Sequence, residues 1–174
     1  IVQCNIFGLN QAGTAVEPIT LSAISTGGGS TGTLVGGLNP GDGNIIAGTG
    51  SSGIAISGSS DTEIYGNTIG LNLAGDAAFS GYQYSGIEIT NSDGTIVGGS
   101  TAAHRNVISG SQANEFTSGV NIDGLSDNTT IQGNYFGTDV TGLISIPSNN
   151  KNIEICDHGG CTGFDHGPIS NITI

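Results

Sequence analysis

The chain has 174 residues, with 2 Lys plus Arg against 14 Asp plus Glu, so its formal net charge is −12. This charge excludes nucleic acid as a partner, because phosphate binding needs clustered basic side chains. No apolar run approaches the roughly 20 residues that a membrane-spanning helix needs, so we expect no membrane insertion. The 32 glycines, with no Met or Trp, accompany many Ser, Thr, Asn and Ile residues, which disfavours helix and favours short strands and turns.

The first predicted strand begins a motif, N-x-[IF]-G-x-[ND]-x-x-G, which occurs three times, at residues 5–13, 67–75 and 134–142. A second motif, G-T-[LI]-V-G-G followed by N-[IV]-I-x-G, spans residues 32–48 and returns at 94–110. A third motif, G-[IV]-x-I or N-I-x-I, starts at residues 53, 86, 119 and 152, a constant spacing of 33. The unit is therefore a coil of 33 residues, and alternate coils resemble each other most closely.

Each predicted coil contains three short segments that alternate for only three or four residues before Gly, Asn or Ser interrupts them, which is the period of a strand. Strands this short cannot bury an apolar face alone, but stacked coils place Ile on Ile and bond each backbone to its neighbours. We predict an all-β fold, a parallel β-helix of about five coils, in one domain over residues 1–174. An up-and-down barrel or sandwich is disfavoured, because it needs longer strands joined by hairpins.

One asparagine precedes the third strand of each coil. Its amide is able to bond neighbouring backbone in a tight corner, and it tolerates left-handed geometry. Stacking is expected to align these side chains in a structural ladder, which comprises Asn5, Asn44, Asn67, Asn106 and Asn134.

These motifs resemble the right-handed parallel β-helix repeat proteins of the secreted bacterial type, over essentially the whole chain. The resemblance implies right-handed coils and an extracellular or cell-surface location, often with carbohydrate nearby. Neither end of the sequence shows a capping segment, so we expect a part of a longer solenoid or a subunit that associates end to end. The predicted role is structural, as a segment of a surface protein or filament with adhesive or glycan contacts.

The alternative prediction is a carbohydrate-active enzyme, a polysaccharide lyase or a glycoside hydrolase. The middle residue of each G-I-x-I strand should point outward, which places Glu88 and Glu154 two coils apart, roughly 9.6 Å by coil spacing. That is near the roughly 6.5–9.5 Å between the carboxyl groups of inverting glycosidases. Asp123 is the third candidate carboxylate. Acidic residues on an outer face are more often simply solvated, and the absence of Trp favours a protein without catalysis.

The remaining candidate sites are a disulfide bond, two glycosylation sites and bound ions. Cys156 and Cys161 are predicted to form a small disulfide loop. His158 and His166 nearby suggest metal binding as an alternative, but the C-x4-C spacing fits no standard zinc pattern, so we predict no metal site. Asn128 and Asn171 begin N-x-[ST] sequons, which predicts glycosylation if the source modifies such sites. We predict no cofactor, with calcium binding by loop carboxylates left open, since the sequence has no standard calcium loop.

Overall fold

In the computed structural model the chain winds into a parallel β-solenoid, as predicted. The structure describes residues 1–79, 84–110, 118–146, 151–156 and 170–174. Within these residues, three strands recur in each turn and pair in parallel with the equivalent strands of the turns on either side. The only helix there is a single 3-10 turn, Ala102–His104.

Three parallel sheets form the walls. Sheet A contains β2 (Ile24–Gly27), β5 (Ile54–Ser57), β8 (Ser85–Thr90), β11 (Ser118–Asp123) and β14 (Lys151–Cys156). Sheet B contains β3 (Leu34–Gly36), β6 (Glu63–Tyr65), β9 (Ile96–Gly98) and β12 (Thr130–Gln132). Sheet C contains β1 (Ile6–Phe7), β4 (Ile45–Ile46), β7 (Thr68–Ile69), β10 (Val107–Ile108) and β13 (Tyr135–Phe136).

The register of sheet A reproduces the predicted coil length, with one exception. Ile54 pairs with Ile87, and Val120 pairs with both Ile87 and Ile153, which gives 33 residues for each of these turns. The first turn is shorter, because Ile24 pairs with Ile54, 30 residues later. Sheets A and C each contain five strands, so the prediction of about five coils corresponds to four complete turns from β2 to β14, with partial turns beyond them.

Columns of aliphatic side chains fill the interior. Ile54, Ile87 and Val120 lie one above another and are fully buried, and sheets B and C supply parallel columns to the same core. Each strand contributes only one or two inward residues, so almost all of its apolar contacts are with other strands and coils. This dependence on neighbours explains how strands of two to six residues form a stable wall.

A feature that the sequence did not predict is a two-stranded hairpin after every second strand of sheet C. The bridging residues of the three hairpins are antiparallel, and they are Leu9 with Val16, Leu71 with Ala78, and Thr138 with Ser145. The returning strand lies beside the next coil, because a Cβ atom added to Gly48 or Gly110 would contact Val16 or Ala78. One hairpin therefore occupies the height of two coils, which explains why alternate coils are the most alike.

The hairpin tips also stack on one another. The Leu73 side chain occupies the space above Gly13, and the backbone N–H of Leu73 donates to the Gly13 carbonyl at 3.4 Å. Val140 and Gly75 repeat this contact in the next pair, at 3.0 Å. A larger residue in place of either glycine would displace the hairpin that follows.

The coil corners give a test with a matched control. Gly36 and Gly28 both have positive φ, +85° and +65°, but a Cβ at Gly36 would overlap the Tyr65 carbonyl oxygen, whereas Gly28 has open space around it. We expect Gly28→Ala to cost about 1 kcal/mol for its left-handed backbone alone, and Gly36→Ala about 3 kcal/mol or more because the next coil must also move. Chemical denaturation measures both free energies of unfolding, and equal losses would contradict the close approach of the coils.

Candidate functional site

The five asparagines of the predicted ladder form a continuous chain of hydrogen bonds at the corner between sheets B and C. From Asn5 to Asn106, each side-chain amide donates to the Oδ1 atom of the asparagine in the next coil, at 2.9–3.0 Å. The same Oδ1 atom also accepts the backbone N–H of the previous asparagine, at 2.9–3.1 Å. The amide therefore replaces backbone bonds that the chain loses where it turns the corner.

The ladder is buried through its centre, with Asn44, Asn67 and Asn106 each 0 % exposed, while Asn5 is exposed. The Asn67 amide further donates to the carbonyl oxygens of Val35 and Tyr65, at 3.0 and 3.1 Å. None of the five has positive φ, so the left-handed tolerance that we considered for them is not used here. Their role in the structure is to bond one coil to the next.

Within the described ranges, four of the five non-glycine residues with positive φ lie at a different corner, between sheets A and B, and the fifth, Cys4, precedes Asn5. Asp61, Asn128 and Asn171 have φ between +53° and +56°, and Gly94 takes the equivalent place with φ +69°. Both predicted glycosylation asparagines thus lie in this corner, exposed and stacked, with the Asn171 amide donating to Asn128 Oδ1 at 3.0 Å. Glycosylation at either residue stays a prediction.

A second ladder, made of serines, was not predicted from the sequence. The backbone N–H of Ser59 donates to Ser92 Oγ, and that of Ser92 donates to Ser126 Oγ, each at 3.2 Å. All three serines are nearly or completely buried at the end of the sheet A strands. Their spacings of 33 and 34 residues were a usable signal, but serine is so common in this chain that the pattern did not stand out.

The outer face of sheet A places two candidate carboxylates symmetrically. Asn121 pairs in register with Glu88 on one side and with Glu154 on the other, so the two acids lie two strands apart, as predicted. Ser52 Oγ donates to Glu88 Oε2 at 2.7 Å. Lys151 forms an ion pair with Glu154. Each carboxylate therefore has its own local partner.

The third candidate carboxylate, Asp123, lies at the end of β11. It lies two residues beyond Asn121 in β11, is 5 % exposed, and accepts a hydrogen bond from the Gly124 N–H at 2.7 Å. This bond holds the Asp123 side chain against the turn at the end of its own strand. Glu88 lines a cavity on this face, which it shares with Ser52, Tyr84 and Asn121.

Arg105 and His104, in the loop before β10, each pack against a tyrosine ring. The Arg105 guanidinium lies over the Tyr135 ring, 4.1 Å from its centroid, and its Nε donates to the Gly133 carbonyl at 3.0 Å. The neighbouring His104 ring stacks on Tyr65 with 4.8 Å between centroids. Burial, followed by the charge of Glu63, raises the pKa of Tyr65. This cluster packs the loop before β10 against its neighbours.

Cys156 ends β14 and is disulfide-bonded, whereas Cys4 is free and exposed. Cys161, His158 and His166 lie outside the described residues, so the Cys156–Cys161 pairing stays a prediction. Among the residues that the structure describes, no three His, Cys, Asp or Glu side chains are grouped closely enough to hold a metal ion. The same described part of the chain has no helix that is long and apolar enough to cross a membrane.

One of the three hairpins is capped by a carboxyl group whose pKa is lowered, that of Asp139. Asp139 is 3 % exposed, and its side chain accepts hydrogen bonds from the Thr141 hydroxyl and from the backbone N–H groups of Leu143 and Ile144. These bonds, with that of Thr141 first, lower the pKa of Asp139 below its ordinary value of 3.8. Asn10 and Asn72 cap the other two hairpins in the same way without a charge.

Comparison with protein-family models, with curated protein sequences and with solved structures finds no match for this chain. The geometry itself defines the class of the protein, which is a parallel β-solenoid repeat protein.

The central asparagine of the ladder should matter far more than the one at its exposed end. We expect Asn67→Ala to lower the free energy of unfolding by about 3 kcal/mol, because it leaves buried donors and acceptors unpaired on both neighbouring coils. Asn5→Ala, at an exposed position, is expected to cost less than about 1 kcal/mol. Urea denaturation of both variants measures the difference, and similar costs would show that the ladder does not bond the coils cooperatively.

The hairpin cap predicts a pH dependence. Since the folded state lowers the pKa of Asp139, its ionised form stabilises the fold above pH 3.8, and this contribution is lost as the pH falls through the lowered pKa. Asp139→Asn should keep the cap, as Asn10 and Asn72 do, but remove this part of the acid sensitivity. Thermal unfolding between neutral and acidic pH compares the two proteins, and parallel pH profiles would contradict the assignment.

Proposed function

We propose that the chain is a structural segment of an extracellular surface protein or filament of the secreted bacterial β-helix type. Its coils give axial stiffness, and its outer faces are available for adhesive or glycan contacts. In this proposal further coils, from the same chain or from a neighbouring copy, continue the stack. No cofactor is needed for this role.

The observation that carries the proposal is the unbroken Asn ladder. The four asparagines from Asn5 to Asn106 all donate in the same axial direction, each to the next one, so any coil with an asparagine at this corner extends the series. The stacked hairpin tips repeat along the same axis and add a second column of contacts. Both features favour extension along the axis over the formation of a single deep cleft.

A surface role is tested on the source organism with antibodies raised against this domain. Labelling of intact, unpermeabilised cells, together with fibres or projections in electron micrographs of shed material, supports the proposal. Labelling that appears only after the cells are opened would overturn it. An antibody to a cytoplasmic protein of the same cells controls for leakage.

A carbohydrate-active enzyme is the second candidate function, because Glu88 lines a cavity on the outer face of sheet A, two strands from Glu154. If these residues are the acid and base, the double variant Glu88→Gln with Glu154→Gln should lower the rate of polysaccharide cleavage by at least about 100-fold. Reducing-end assays measure hydrolysis, and absorbance of unsaturated products measures lyase activity. Undetectable cleavage by the wild-type protein, or unchanged cleavage by the double variant, excludes this mechanism.

A further inference from the structure

We propose that the hollow around Glu88 binds a neutral, hydroxyl-rich saccharide and not an acidic polysaccharide. Binding of this kind needs no catalytic step. It adds a specific ligand to the structural role, which would stand even if the saccharide failed to bind.

The hollow results from small residues placed next to a large polar one. Ala55 is paired in register with Glu88, so the coil before Glu88 presents only a methyl group at this point of the outer face. Gly50 and Ser51, in the turn that leads to β5, form one side of the depression. Tyr84 also lines the depression, one coil beyond Ser51, and its backbone N–H donates to the Ser51 carbonyl at 3.2 Å.

The groups in the hollow match the chemistry of a sugar. Ser52 is 1 % exposed, so its bond to Oε2 orients the Glu88 carboxylate, which is a strong acceptor for hydroxyl groups. Asn121, in the next strand, offers a donor and an acceptor within one side chain. Tyr84 is 46 % exposed, and a partly exposed aromatic ring provides a surface for the apolar face of a pyranose.

The charge of the hollow and of the whole chain selects against acidic ligands. Glu88 would lie directly against a uronate carboxylate, and the chain carries a net charge of −12 with only two basic side chains. Arg105 donates a hydrogen bond to Gly133 and lies over the Tyr135 ring of sheet C. Lys151 forms an ion pair with Glu154. Neither is in the hollow, where a cation would have to lie to neutralise a polyanion.

Titration with three oligosaccharides of equal length tests the proposal. The probes are cellohexaose and mannohexaose, which are neutral, and hexagalacturonate, which is acidic. The chain has four tyrosines and no tryptophan, so tyrosine emission reports binding, and amide shifts in nuclear magnetic resonance spectra locate it. We expect at least one neutral probe to bind with shifts at Ser52, Glu88 and Asn121, and hexagalacturonate to bind at least about tenfold more weakly.

Two variants and a matched control separate the hollow from general surface effects. Glu88→Gln and Tyr84→Ala should each weaken binding of the neutral probe by about tenfold or more. Glu63→Gln, which removes a half-buried carboxylate on sheet B, should leave binding unchanged. Failure of both neutral probes to bind, equal or tighter binding of the acidic probe, or equal loss in the control variant would each overturn the proposal.

Discussion

Every part of this molecule depends on the contact between one coil and the next. A strand of three residues buries too little apolar surface to be stable alone, and its backbone groups need partners outside the strand. Both requirements are met when equivalent strands stack at the spacing of a parallel sheet, about 4.8 Å. The ladder of Asn44, Asn67 and Asn106 extends this spacing through the corners, where the backbone cannot bond in the regular pattern.

The same spacing constrains the loops. A hairpin has two strands, so it takes the height of two coils, and a second hairpin in the adjacent coil would occupy the same space. The chain therefore places a hairpin after β1, β7 and β13, while β4 and β10 are followed by a glycine that fits beneath the returning strand. The repeat is consequently one coil long in its core and two coils long on its surface.

The outer face of the strands is under much weaker constraint than the interior. From β5 to β14, the inward positions of sheet A hold Ile or Val in successive coils, whereas the outward positions in register are Ala55, Glu88, Asn121 and Glu154. These changes leave the backbone pairing intact, because outward side chains do not touch the core. Differences in ligand contact between coils can therefore arise without loss of the fold, and the hollow beside Glu88 is one such difference.

The sequence by itself determined the strand pattern, the length of most coils, the parallel solenoid and the positions of the ladder asparagines. It did so because a stacked coil must repeat its apolar and corner residues at a fixed interval, and that interval is visible in the residues. The sequence did not reveal the short first turn or the serine ladder, because neither stands out from the common pattern of Ser, Thr and Gly. The hairpins are not visible in the sequence, because their repeated motif is equally typical of a strand followed by a loop.

Only the tertiary structure decided which outward side chains meet. It bonded Asp123 to the turn at Gly124, paired Lys151 with Glu154, and brought Ser52 and Tyr84 to Glu88. The axial position of a residue follows from its number within the repeat. Its neighbours on the surface depend on how the turns and loops of adjacent coils fold over that position, and these contacts have no fixed period in the sequence.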